Sequence, residues 1–153
     1  MNLHSFSTAL LSVFFAASTF ALAPGERVDN FRLLDETGSS HELYYFSDTK
    51  AFVLMAHNSS CQSMQESVEA LASMQASYAD QGVEFMLINS DLRDDRSAIQ
   101  ASVADQNIAA PVLMDSTQII GESLGAMSAG DTVVIDPSNW QVAYLGGAQN
   151  ASQ

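Results

Sequence analysis

The residues best suited to chemistry lie in one short stretch, His57-Asn58-Ser59-Ser60-Cys61-Gln62-Ser63-Met64, which holds the only cysteine of the chain. A thiol reacts as its thiolate, and thiolates form where the surroundings favour an anion. The apolar run Ala51 to Ala56 leads into this stretch, and a helical pattern follows it. That order predicts a buried strand, a polar turn, and Cys61 in the first turn of the next helix. Unpaired backbone N–H groups and the helix dipole would stabilise negative charge there. A cysteine kept only for packing more often lies inside an apolar run. The placement therefore points to a reactive thiol, with an inert buried thiol as the competing reading.

Two other sets of residues invite a chemical reading. His57, Cys61 and Met64 offer one nitrogen and two sulfurs, a soft set that suits copper. Against it, Met64 falls in phase with Val68 and Leu71 on one helix face, which reads as core, and His57 can end the strand with a local hydrogen bond. Asp91, Asp94 and Asp95 resemble a cation cluster, but a solvated loop and a helix start explain them more simply. His41 reads as a surface residue of an early strand. The sequence contains no phosphate-cradling glycine loop, serine-hydrolase signature or zinc cysteine pair.

The elements that must hold Cys61 follow from hydrophobic pattern. Asn30 to Leu34 reads as a short strand, Asp35 to Ser40 as a turn, and His41 to Phe46 as a second short strand or extended segment. Ala51 to Ala56 and Val83 to Asn89 are continuously apolar, which suits central strands covered on both faces. Ser59 or Ser60 is placed to cap a helix whose inner face is Met64, Val68, Leu71, Met74 and Tyr78, with Gly82 ending it. A second helix spans Asp94 to Gln106 with Ile99 and Val103 inward. Pro111 to Met114 is extended, Ser116 or Thr117 caps a small helix, and Gly125 to Gly130 is a loop. Thr132 to Ile135 and Trp140 to Leu145 form a terminal hairpin, and Gly146 to Gln153 a polar tail. The expected architecture is an α/β sandwich, a central mixed β-sheet with helices on both faces, whose chemistry sits at the C-terminal ends of the central strands.

The 153 residues suit a single domain. The net charge is −13, from 18 acids against 5 bases, with Lys50 the only lysine. Such a surface repels nucleic acid and anionic lipid, which argues against both as partners. Leu10 to Ala17 is mostly apolar and leads to Thr19 and Ala21, small residues at signal-peptidase positions. The expectation is a signal peptide over residues 1–21, one domain over 22–153, export to a bacterial periplasm or beyond, and no membrane contact after cleavage. One cysteine cannot form a disulfide within the chain, so an exported chain with Cys61 has a reactive thiol, an intermolecular bridge or a metal ligand.

The order of elements resembles the thioredoxin-like fold, and within it the redoxin branch of alkyl hydroperoxide reductases and thiol-specific antioxidant proteins. Four places carry the resemblance: Val28 to Leu33 with Asp35 and Gly38, the turn Asn58-Ser59-Ser60-Cys61, the strand Gly82 to Asn89, and Val133-Val134-Ile135-Asp136 with Gly146. It implies a thiol oxidoreductase with Cys61 catalytic and an active-site loop of Asn58, Ser59, Ser60 and Met64, faced by Ala129 and Gly130. It implies no cofactor, and an external thiol or disulfide protein as partner. The chain also departs from the family. Met64 stands where dithiol members have a second cysteine, and Gly130 near the position of the usual cis-proline. Asn58 and Leu54 occupy positions where peroxiredoxins carry a threonine or serine and a proline. The expected activity is thus monothiol chemistry on disulfides or peroxides. A redox-inactive binding module and a periplasmic copper carrier using His57, Cys61 and Met64 are the alternatives. The sequence leaves the oligomeric state open.

Overall fold

A computed structural model describes residues 22–125 and 127–147. The expected signal segment 1–21 and residues 148–153 of the polar tail lie outside the described residues. In chain order the strands are β1 (Arg32–Leu34), β2 (Ser40–Glu42), β3 (Ala51–His57), β4 (Val83–Asn89), β5 (Val112–Met114), β6 (Asp131–Asp136) and β7 (Gln141–Gly147). The α-helices are α1 (Met64–Tyr78), α2 (Arg96–Gln106) and α3 (Ile119–Ser123).

Five strands form one mixed sheet in the order β5-β4-β3-β6-β7. β3 lies at its centre, parallel to β4 and antiparallel to β6. Its continuous apolarity has the expected cause, because both faces are covered. Phe52 and Leu54 point to one core, which takes in Met86, Ile88, Leu43, Leu124 and Ile135, with Ile120 of α3 packed on it. Val53 and Met55 point to the other, with Met64, Val68 and Leu71 of α1 and Ile99 of α2. Each such side chain removed from water contributes roughly 1.5–3 kcal/mol, so β3 is firmly anchored on both faces. The site described below is built on its last residue.

The local departures from expectation have physical reasons. Only Ser40–Glu42 of the second extended segment is a strand; Leu43–Phe46 is a 3-10 helix that drives Leu43 into the core. α1 ends at Tyr78, which stays 45% exposed rather than inward. A 3-10 turn, Ala79–Gln81, follows, and Gly82 closes it at φ 77° in the left-handed region that glycine adopts freely. α2 starts at Arg96, because the Asp95 side chain accepts the Ala98 N–H and caps it there. α3 has no serine or threonine cap; left-handed Gln118 precedes it. The last strand runs on to Gly147, into the expected tail.

Both edges of the sheet carry additional chain. Gly25 N–H donates to Val142 O, Val142 N–H to Glu26 O, and Val28 N–H to Trp140 O, which lays residues 25–28 along β7. On the other side, Glu36 N–H donates to Val112 O, and the buried Glu36 carboxylate accepts the Val112 N–H.

Candidate active site

β3 ends at His57, and the chain leaves it in a polar turn from Asn58 to Ser63 before α1 begins at Met64. Cys61 is therefore not in the first helical turn, as expected, but three residues ahead of it. Ser59 and Ser60 do not cap α1. The Ser59 N–H donates to the Asp94 carboxylate at 2.9 Å, and the Ser60 N–H to the Asn58 side-chain oxygen at 2.9 Å. Asn58 in turn donates to Asp91 at 2.7 Å, and Arg93 holds the same carboxylate. The first half of the turn is thus pinned to the loop after β4. The Arg93 guanidinium, together with the Arg93 backbone N–H and the Asn58 amide, keeps the Asp91 carboxyl far below the usual carboxylate range.

The second half of the turn holds the thiol. The Cys61 sulfur lies 3.1 Å from the Ser63 hydroxyl, and its non-polar side packs on the α1 core. The Ser63 hydroxyl lowers the thiol pKa most. The backbone N–H groups of Ser63 and Met64 lower it further, and partial burial opposes them. The N–H groups that open α1 do favour the thiolate, as the sequence suggests, although the serine that assists them is Ser63 and not Ser59 or Ser60. Ser63 was legible only as a residue two places after the thiol; its role depends on the turn conformation.

Beneath the turn lies a buried polar core that the sequence gives little sign of. His57 is 3% exposed. The Asn89 side-chain amide donates both to Asp94 at 2.7 Å and to His57 Nδ1 at 3.1 Å. The Asp94 carboxylate fixes the amide orientation, so His57 Nδ1 is an acceptor. The proton sits on Nε2, which faces the Ser102 hydroxyl of α2 at 3.1 Å. Burial lowers the His57 pKa, with the Asp94 charge opposing, so the ring is neutral. Asp94 and His57 together tie β3, β4, α2 and the reactive turn into one hydrogen-bonded unit. Asp91 and Asp94 are not the solvated loop acids that the sequence suggests: besides nearby Arg93 and Asn89 they hold Asn58 and Ser59, 33 and 35 positions away.

Two of the three copper candidates are otherwise engaged. Both ring nitrogens of His57 already have hydrogen-bond partners, and Met64 is 1% exposed within the core with Val68 and Leu71. His41 is partly buried rather than free on the surface: its Nε2 meets the buried Asp35 carboxylate at 2.7 Å.

The facing wall is the loop before β6. Gly130 has φ 88°, its N–H donates to Ala56 O at 2.9 Å, and a Cβ there would meet the Ser67 hydroxyl of α1 at 2.6 Å. A proline would lose the hydrogen bond and could not adopt that φ, so the loop is built for glycine. Among the described residues no peptide bond is cis. Asn58 and Ala129 line a cleft of about 410 Å³ with Asp91, Gln118 and Glu122, while Ser59 and Ser60 line a second hollow against α2 with Asp94 and Asp105.

Residues 24–143 match the sequence profile of the AhpC/TSA family. A search of curated proteins finds no match. Among the many solved structures with a similar fold are the following three. The first is a candidate thiol:disulfide interchange protein DsbE of Chlorobium tepidum, 20% identical, with TM-score 0.73 over 83% of this chain and 86% of that one. The second is the thioredoxin domain of a thiol-disulfide oxidoreductase of Bacteroides vulgatus, 15% identical, with TM-score 0.71 over 82% and 89%. The third is the peroxidoxin BcpB of Mycobacterium tuberculosis, 17% identical, with TM-score 0.71 over 84% and 87%. The α/β sandwich is thus thioredoxin-like, as expected.

Proposed function

Since the chain belongs to the AhpC/TSA family, we propose that it is an exported, periplasmic or secreted, monothiol oxidoreductase acting on peroxides or protein disulfides. One observation carries the reading. The only cysteine, partly exposed in the turn after the central strand, has its thiolate favoured by the Ser63 hydroxyl and the N–H groups of Ser63 and Met64. Against a peroxide, the Cys61 thiolate attacks one oxygen, the O–O bond breaks, and the leaving alkoxide takes a proton from water. Cys61 is left as a sulfenic acid. A partner's thiol then attacks that sulfur and releases water, and a second external thiol frees Cys61. Against a disulfide, the thiolate forms a mixed disulfide and expels the partner's other sulfur as a thiolate, which is protonated. Met64 supplies no second thiol, so resolution falls to an outside thiol in both cases.

The pH dependence of Cys61 alkylation, with Cys61→Ser as the blank, tests this. The expected result is a titration below the free-thiol value of about 8.5. A titration at or above that value would sink the redox reading. It would favour the alternative of a thioredoxin-fold binding module, which the core placement of Met64 at the second-cysteine position supports.

A further inference from the structure

The cleft of about 410 Å³ beside the reactive turn contributes nothing to the thiolate, yet it opens at the same end of the sheet. Its walls come from four places: the end of β3 with Asn58, the loop after β4 with Asp91, the start of α3 with Gln118 and Glu122, and the loop before β6 with Met127 and Ala129. Two large exposed aliphatic side chains directly follow wall residues in the sequence. Leu92, after Asp91, is 69% exposed, and Ile119, after Gln118, is 63% exposed. Gln118 is held left-handed at φ 61°, with its side-chain amide on Ser90 O. A left-handed backbone is strained for a non-glycine residue. Here it turns Ile119 outward while Ile120 packs on the core.

The charge around the cleft is acidic on balance, with Asp91 paired to Arg93 and Glu122 left as an exposed acid. Asp94 and Asp105 line the adjoining hollow. The other bases are placed elsewhere: Arg32 on Glu42, Arg96 on Asp35 O, Arg27 against Tyr44, and Lys50 at the start of β3, the opposite end from Cys61. The whole chain carries −13.

We infer that this cleft docks an extended segment of a client protein in which lysine or arginine alternates with aliphatic residues close to the client's reactive cysteine. The aliphatic side chains cover Leu92 and Ile119, and the cations face Glu122 and the acidic field behind it, which also speeds encounter. This deepens the oxidoreductase reading by giving its protein client a chemistry, and in that respect rests on it. The same field disfavours anionic small thiols as the resolving agent.

The test separates docking from redox chemistry by using the protein with Cys61→Ser and two labelled peptides, one alternating lysine with leucine and the other glutamate with leucine. Fluorescence anisotropy at low salt is expected to show the lysine peptide binding at least about tenfold more tightly, a difference that shrinks as salt is raised. Leu92→Ser with Ile119→Ser, and separately Glu122→Gln, each change exposed residues and are expected to weaken it by about threefold or more. Equal binding of the two peptides overturns the inference. So does lysine-peptide binding that ignores Leu92 and Ile119, because that is adhesion to the acidic surface at large. Specific binding beside an unreactive Cys61 keeps the docking site and removes the redox reading; a reactive Cys61 without peptide preference does the reverse.

Discussion

Two polar turns in this fold use the same materials to opposite ends. The turn from Asp35 to Ser40 is built round one buried carboxylate. Asp35 accepts the Thr37 and Ser39 N–H groups, the Thr37 hydroxyl and His41, and Arg96 holds its carbonyl oxygen. Nothing at its centre is left to react. The turn from Asn58 to Ser63 is held equally firmly over its first half, where Asp91 and Asp94 grip Asn58 and Ser59. Over its second half the sulfur meets one hydroxyl and is partly open. The Ser59 hydroxyl, buried without a hydrogen-bond partner among the described residues, marks where the clamp ends. A saturated turn is architecture; a turn saturated on one side only can present a nucleophile without losing its position.

The comparison breaks most visibly at Asp35. Asp35→Ala leaves several donors without their acceptor and is expected to lower unfolding stability by about 3 kcal/mol in urea titrations, leaving the rate of Cys61 alkylation unchanged. A matching fall in alkylation rate would mean the two turns are not independent. Burial pushes the Asp35 carboxyl up, but the bonds from Thr37, His41 and Ser39 outweigh it and hold the pKa to about 2, against 3.8 in a free chain. The folded value is depressed, so this stabilisation is complete above the unfolded value and is lost as pH falls through the folded one. It amounts to about 2 kcal/mol over that window. Urea midpoints between pH 5 and pH 2 should show an acid limb that Asp35→Ala flattens.

His57 sharpens the comparison in a different pH range. Burial holds its folded pKa below the free value of 6.5. The neutral ring's contribution is therefore complete above about pH 6.5 and declines by roughly 1.4 kcal/mol per pH unit below it, until the folded pKa is reached. His57→Gln should remove that slope; a wild-type protein equally stable at pH 7.5 and 5.5 would show the ring is not locked neutral. Next in size, Gly130→Ala combines a left-handed backbone with a clash on Ser67, for an expected loss of about 2 kcal/mol by thermal unfolding. Adding Ser67→Ala should recover the steric part only. The smallest effect belongs to Ser63→Ala. The thiol pKa rises and alkylation at neutral pH slows by about two- to threefold. No change would mean the backbone N–H groups alone set the thiol's reactivity.

What was legible in the sequence was what local pattern controls. β3 and β4 announced themselves because burial on both faces demands unbroken apolarity, and Met64, Val68 and Leu71 marked the inner face of α1 at helical spacing. Cys61 stood out for the same local reason, as a lone thiol between strand and helix. The start of α1 was misplaced because the bonds that hold Asn58 and Ser59 out of the helix come from Asp91 and Asp94, far along the chain. The buried role of His57 was hidden likewise, since its partner Ser102 lies 45 positions away. The 3-10 helix at Leu43–Phe46 has strand-like aromatic composition, and only the demand of the core on Leu43 decides it.

The covering of β7 by residues 25–28, and of β5 by Glu36, also bears on how this protein survives crowding. Open strand edges invite pairing with another chain, and many proteins guard theirs with lysine. With Lys50 as its only lysine, this chain closes its edges with its own backbone instead. At β7 that protection is made of backbone hydrogen bonds alone and does not depend on charge, so salt cannot screen it away. It does depend on a few residues near the start of the described fold: lose the Gly25-to-Val28 segment, and β7 becomes a seed for aggregation.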